Sequence, residues 1–175
     1  LSTQDVTTRG VGAAAQWIHD EMRGYSPRLQ VSFDTYEIPA QGERIVRDTR
    51  LRNVMAVLAG KSPRRIYVSA HYDSLARAPR PSGLGTAAAP GAASPTPPAG
   101  SASAGGTRPA QSASGGFNWG AADHPAPGAN DDGSGTALTM ELARVFAQSG
   151  IEFDATLAFI ALAGEEQGLV GAKLH

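Results

Sequence analysis

Three short polar clusters carry the residue types that do acid–base and metal chemistry: His71-Tyr72-Asp73-Ser74, the run from Pro127 to Gly135 that contains Asp131 and Asp132, and Glu165-Glu166. One imidazole with several carboxylates is the donor set of a hard or borderline divalent cation. Cysteine is absent, so a metal would have to be held by His, Asp and Glu. Zinc leads among the candidates because it accepts imidazole nitrogen and carboxylate oxygen in sites that keep a position open. Each cluster also has an ordinary structural explanation. A histidine at a strand end is commonly a surface or capping group, Asp and Ser ahead of a helix are preferred N-cap types, and paired glutamates at a helix start favour its dipole. A cap accounts for one of Asp131 and Asp132 and not for both. The recurrence of such clusters at successive strand ends is what points to a site.

The elements that must position these clusters follow from the apolar pattern. Arg65 to Ala70 and Ala155 to Leu162 are short, nearly continuous apolar runs, the pattern of strands inside a sheet covered on both faces. His71 follows the first and Gly164-Glu165-Glu166 the second. Between them Ala137, Leu138, Leu142, Val145 and Phe146 recur at helical spacing and predict a helix from near Ser134 to Gly150. Strand, long connection with a helix, strand is the βαβ order, so the two strands are expected to be parallel. Ligands in such sheets bind outside the carboxyl ends of the strands, where all three clusters would lie. Upstream, Val11 to Arg23 reads as an amphipathic helix with Ala14, Ala15, Ile18 and Met22 on one face and Trp17 beside them. Leu29 to Ile38 and Asn53 to Leu58 read as strands, and Gly60 to Pro63 as a turn. The expected class is α/β, with a mixed, largely parallel central sheet flanked by helices.

Composition bounds the rest. With 175 residues the chain suits one domain, and 15 basic against 16 acidic residues leave no field to attract nucleic acid. The longest apolar stretch, Ala155 to Ala163, is about half of the roughly 20 residues that span a bilayer, so no membrane span is expected. From Pro79 to Gly116, 34 of 38 residues are Ala, Gly, Pro, Ser or Thr, too little apolar surface to offset the entropy of ordering. A flexible low-complexity insertion at about 77–125 is therefore expected to interrupt the single domain 1–175. Because the first residue is Leu1, an upstream segment is expected to have been removed, with an extracytoplasmic or secreted location.

HYDS, PGANDDGSG and the strand followed by GEEQGLVGA resemble, in order and context from about Arg52 onward, the zinc-dependent exopeptidases of clan MH. That is the family of bacterial leucyl aminopeptidase and aminopeptidase Y, with glutamate carboxypeptidase and glutaminyl cyclase as relatives. The resemblance implies two zinc ions bridged by an aspartate and a water. Carried over by position, His71 is similar to the histidine on one zinc, Asp131 to the bridging aspartate, Glu166 to the carboxylate on the other zinc, and Glu165 to the general base. Asp73 resembles the carboxylate that orients the zinc histidine, and the Asp131–Asp132 peptide is expected to be cis. The implied activity is hydrolysis of peptides from a free amino terminus. Glutaminyl cyclisation on the same fold and a catalytically silent fragment or binding module are the alternatives. The family's further Asp and second His have no counterpart up to His175, and His19, His124 and His175 stand outside the motifs. The chain is thus expected to be the N-terminal part of a peptidase domain, its sheet covered by the remaining part of the same protein or by an oligomer partner.

Overall fold

Helix α1 (Gly10–Tyr25) leads into strands β1 (Leu29–Ile38), β2 (Thr49–Leu58) and β3 (Ser62–His71). Helix α2 (Ser134–Gln148), strand β4 (Ala155–Leu162) and the short helix α3 (Val170–Leu174) follow. The computed structural model describes residues 10–42, 44–45, 47–75, 126 and 128–175. The insertion expected at about 77–125 lies outside the described residues, as does His124. No helix among the described residues is long and apolar enough to cross a membrane.

The four strands form one sheet in the order β1-β2-β4-β3. β3 and β4 are parallel, with Ile66 opposite Leu157, Val68 opposite Phe159 and His71 opposite Leu162, as the βαβ order requires. β1 pairs antiparallel with β2, and β2 antiparallel with β4. The parallel character is therefore confined to one of three pairings among the described residues. Connection length explains the difference: β1 and β2 are joined by a short loop, which can only return the chain antiparallel, whereas β3 and β4 are separated by a crossover that carries α2.

β3 does not have the two-sided cover that its apolar run predicts. Ile66 and Tyr67 are 49% and 50% exposed, and the strand lies at the end of the sheet order. Cover on both faces belongs to β4 instead, where Ala158, Phe159, Ile160 and Ala161 are all buried between flanking strands. A continuous apolar run marks burial without saying which strand is central. β3 also begins three residues earlier than expected, so Ser62 and Pro63 belong to the strand rather than to the turn.

α1 and α2 pack together on one face of the sheet. Ala15, Ile18 and Met22 of α1 and Met140, Ala143 and Ala147 of α2 meet Val54, Ala56 and Leu58 of β2 and Leu157, Phe159 and Ala161 of β4. Trp17, placed beside the apolar face by its spacing, is 59% exposed. Full burial of a side chain such as Phe159 contributes about 1.5 to 3 kcal/mol, so this layer anchors β4 and hence everything at its carboxyl end. A second small cluster, Ile38, Ile45, Leu51 and Ala163 with Tyr36, Tyr72 and Val170 against it, forms the base of the segment that carries the paired glutamates.

Candidate metal centre

Because β3 and β4 run parallel and end opposite each other, His71 and the segment after Leu162 emerge at the same edge of the sheet. The start of α2 is bound to that edge through both main-chain groups of His71. Its N–H donates to Asp132 Oδ2 at 3.3 Å, and its carbonyl accepts from Thr136 Oγ1 at 2.8 Å. The other Asp132 oxygen accepts from Gly135 N at 3.0 Å and so caps the first turn of α2. A Cβ at Gly135 would stand 2.3 Å from Asp132 Oδ1, so any larger residue there would displace that carboxylate. Asp131 and Asp132 lie in a tight turn, Ala129–Gly133, with non-helical backbone at both residues and the expected cis peptide between them. One aspartate thus caps and ties, while the other faces the histidine: Asp131 Oδ1 is 3.1 Å from His71 Nε2.

The glutamate segment is joined to the same place by Asp73. This carboxylate has no exposed side-chain surface and accepts from Glu165 N and Glu166 N, each at 3.2 Å, one on each oxygen. The imidazole of His71 is oriented chiefly by the Asp73 main chain, whose carbonyl oxygen accepts from Nδ1 at 3.0 Å, with the carboxylate at 3.7 Å. Glu165 Oε2 lies 3.8 Å from His71 Nε2. Burial and then repulsion from Asp131, Glu165 and Asp73 push the Glu166 carboxyl above its ordinary value, against the opposing effect of His71. For His71 burial pulls downward, but the Asp73 carbonyl, the charges of Asp73 and Glu165 and the hydrogen bond with Asp131 outweigh it, and the imidazole is raised.

The structure brings His71, Asp73, Asp131, Glu165 and Glu166 to one edge and leaves the other described histidines elsewhere. His19 stacks on Phe33 beside Asp20, and His175 pairs with Asp34. Among the described residues no three His, Asp or Glu side chains are arranged to hold one ion. The chemistry of the donors nevertheless suits a cation. Nδ1 of His71 faces a carbonyl and must carry a proton, so in the neutral ring Nε2 offers a lone pair toward the carboxylate oxygens of Asp131 and Glu165. Two carboxylate oxygens that face one ring nitrogen are satisfied by a positive charge, either a proton on Nε2 or a cation. Of the residues expected as ligands, His71 and Asp131 belong to this set, and its third member is Glu165 rather than Glu166. Asp132 and Thr136 were not singled out as site-builders by sequence; the only available signal was that a cap leaves one of the paired aspartates unexplained.

Comparison with known proteins decides the family, since the description of peptidase family M28 matches residues 53–175. The chain belongs to peptidase family M28. It is 39% identical to a "Probable zinc metalloprotease" of Pyricularia oryzae, over 98% of this chain and 27% of that protein. It is 35% identical to another from Leptosphaeria maculans, over 98% of this chain and 31% of the relative. The M28 chain therefore spans about three tenths of the length of these curated relatives. Its fold is similar to that of the LapA aminopeptidase of Legionella pneumophila, with TM-score 0.53 and 22% identity over 95% of this chain and 32% of that one. A glutaminyl cyclase of Porphyromonas gingivalis is similar too, with TM-score 0.54 and 18% identity over 89% of this chain and 40% of the other.

Proposed function

We propose that this chain carries part of the active site of a zinc peptidase that removes residues from the amino terminus of peptides. The observation that supports this best is the convergence of His71, Asp131 and Glu165 at one sheet edge, with Asp73 fastening the amides of both glutamates to the same point. His71, Asp131 and Glu166 would hold the metal, with Asp131 shared between two zinc ions. When bound, zinc polarises the scissile carbonyl and makes a water molecule more acidic.

Glu165 supplies the base. Its side chain is 34% exposed and so reaches solvent, while its main-chain N–H is fixed by Asp73. It takes a proton from the attacking water as the oxygen bonds to the carbonyl carbon, then returns that proton to the amine nitrogen as the C–N bond breaks. General base catalysis of this kind contributes roughly 10² to 10⁴ in rate. Glutaminyl cyclisation on the same fold is the rival, and the names of relatives at 39% and 35% identity favour the peptidase.

The paired glutamates provide the test. In the whole protein Glu165→Gln should abolish turnover of an aminoacyl-p-nitroanilide and leave zinc content intact, whereas Glu166→Ala should lower both. Equal zinc loss in the two variants, or substantial activity in Glu165→Gln, would contradict the assigned roles.

A further inference from the structure

Asn53 is the fifth residue of β2, between Arg52 and Val54, and is fully buried. It lies on β2 next to Val54, which pairs with Ala161, so it stands beside the carboxyl end of β4. Its amide is used at both ends. Oδ1 accepts from Ala163 N at 3.0 Å, and Nδ2 donates to Gly171 O at 3.0 Å. Ala163 and Gly171 are also bonded directly, Gly171 N donating to Ala163 O at 3.0 Å. Three groups therefore close a ring at the neck of residues 163–171, the segment that carries Glu165 and Glu166.

Gly171 is shaped to this ring, because a Cβ there would stand 2.3 Å from Ala163 O and 2.4 Å from Asn53 Oδ1. Within the neck, Val170 N donates to Gly164 O, and Gly168 N and Leu169 N both donate to Glu165 O. Asn53 thus stands in for a strand residue where β2 and β4 stop pairing, giving Ala163 N its acceptor and Gly171 O a second donor beside His175 N. Removing this buried amide is costly, since Ala163 N loses its acceptor and Gly171 O keeps only the longer bond from His175 N at 3.3 Å.

We infer that Asn53 is a positioning residue of the proposed hydrolytic site: by closing the neck of residues 163–171 it sets where Glu165 and Glu166 stand relative to His71. This rests on the reading of those glutamates as base and metal ligand. Asp73 holds the tip of the same segment through the two glutamate amides, so the segment is fixed at two points. Release of one leaves it able to tilt about the other. Displacements of about 1 Å at a reacting group cost as much as a hundredfold in rate.

The experiment uses the whole protein carrying Asn53→Ala, which removes both bonds, and Asn53→Asp, which keeps the acceptor for Ala163 N and turns an oxygen toward Gly171 O. Zinc affinity is read by competition with a chelator, kcat and KM with leucine-p-nitroanilide, and amide exchange by mass spectrometry. Both variants should show exchange at least tenfold faster within 163–171, unchanged protection in β2 and β4, zinc bound about tenfold to a hundredfold more weakly, and a fall in kcat of similar size with KM near its original value. Gly171→Ala, which crowds Asn53 without altering it, should reproduce the pattern and serves if the Asn53 variants do not fold. Loss of protection throughout the sheet, or faster loop exchange with zinc affinity and kcat unchanged, would overturn the positioning role. If the unmutated protein fails to hydrolyse peptides when zinc is present, the functional reading falls by itself, and the exchange and zinc measurements still decide what Asn53 holds.

Discussion

Replacing Asp73 with Asn tests whether this carboxylate is the fastening between the two halves of the site. Both oxygens are used, by Glu165 N and Glu166 N at 3.2 Å each, in a side chain without exposed surface. Asparagine has the same shape but only one acceptor. One glutamate amide keeps a neutral hydrogen bond, while the other faces an NH2 group and is left unpaired. A hydrogen bond to a charged group contributes about 1.5 to 3 kcal/mol and an orphaned buried donor costs about 1 to 3 kcal/mol. Relief of the carboxylate's own desolvation offsets part of this. The net expectation is a loss of about 2 kcal/mol. Urea unfolding of the metal-free protein measures it without the contribution that bound zinc makes to the folded state. The transition midpoint should fall with no change in slope, and the amides of Glu165 and Glu166 should exchange faster than their neighbours. A midpoint shift equivalent to less than about 0.5 kcal/mol, the size expected of an unremarkable surface change, with both amides exchanging at the original rate would refute the fastening.

Two further outcomes follow, one from a contact at the site and one from a contact away from it. Gly135→Ala gains about 1 kcal/mol of helix propensity but drives a Cβ to 2.3 Å from Asp132 Oδ1, and overpacking of that kind costs about 1 to 3 kcal/mol. Net destabilisation and weaker zinc binding should result, and a crystal structure with Asp132 unmoved and full zinc affinity would contradict this. At Asp34, burial raises the carboxyl, but hydrogen bonds from Tyr36 at 2.6 Å and with His175 at 2.9 Å win and hold it below 3.8. A depressed carboxyl stabilises the fold above its unfolded pKa and loses that contribution as pH falls through the folded value. Asp34→Asn should therefore lower the urea midpoint at pH 6 and leave it nearly unchanged at pH 2; the reverse pattern would show that Asp34 is not stabilised in its charged form.

The parts of this molecule that could be read in the sequence are those where local pattern and tertiary demand agree. The two apolar runs of β3 and β4, the helix between them and the polar cluster after each gave the parallel pair and the edge at which His71 and Glu165 meet. The paired aspartates were legible in outline, because a cap needs one carboxylate and two were present; Asp132 caps and Asp131 faces His71. Position within the sheet was not legible. β3 and β4 have similar composition, yet Tyr67 is half exposed and Phe159 is buried, a difference set by neighbours far away in the chain. The contribution of Asp73 also eluded spacing: the family resemblance implied a partner for the imidazole, whereas only the folded backbone shows its carboxylate bound to the two glutamate amides. Asn53 carried little signal, since it read as the first residue of its strand, and its partners Ala163 and Gly171 act through main-chain atoms that no side-chain pattern reports.

The central claim is that this sheet edge belongs to a zinc-dependent enzyme acting on free amino termini. The most direct measurement takes the whole protein, determines its zinc content by mass spectrometry, and follows three substrates in parallel: leucine-p-nitroanilide, its N-acetylated counterpart, and a peptide with amino-terminal glutamine. Two zinc ions per chain are expected, with hydrolysis of the free amine only, loss of turnover on chelation and recovery when zinc is restored. Cyclisation of the glutamine peptide without hydrolysis, equal cleavage of the acetylated substrate, or a zinc-loaded protein that turns over none of the three would contradict the account.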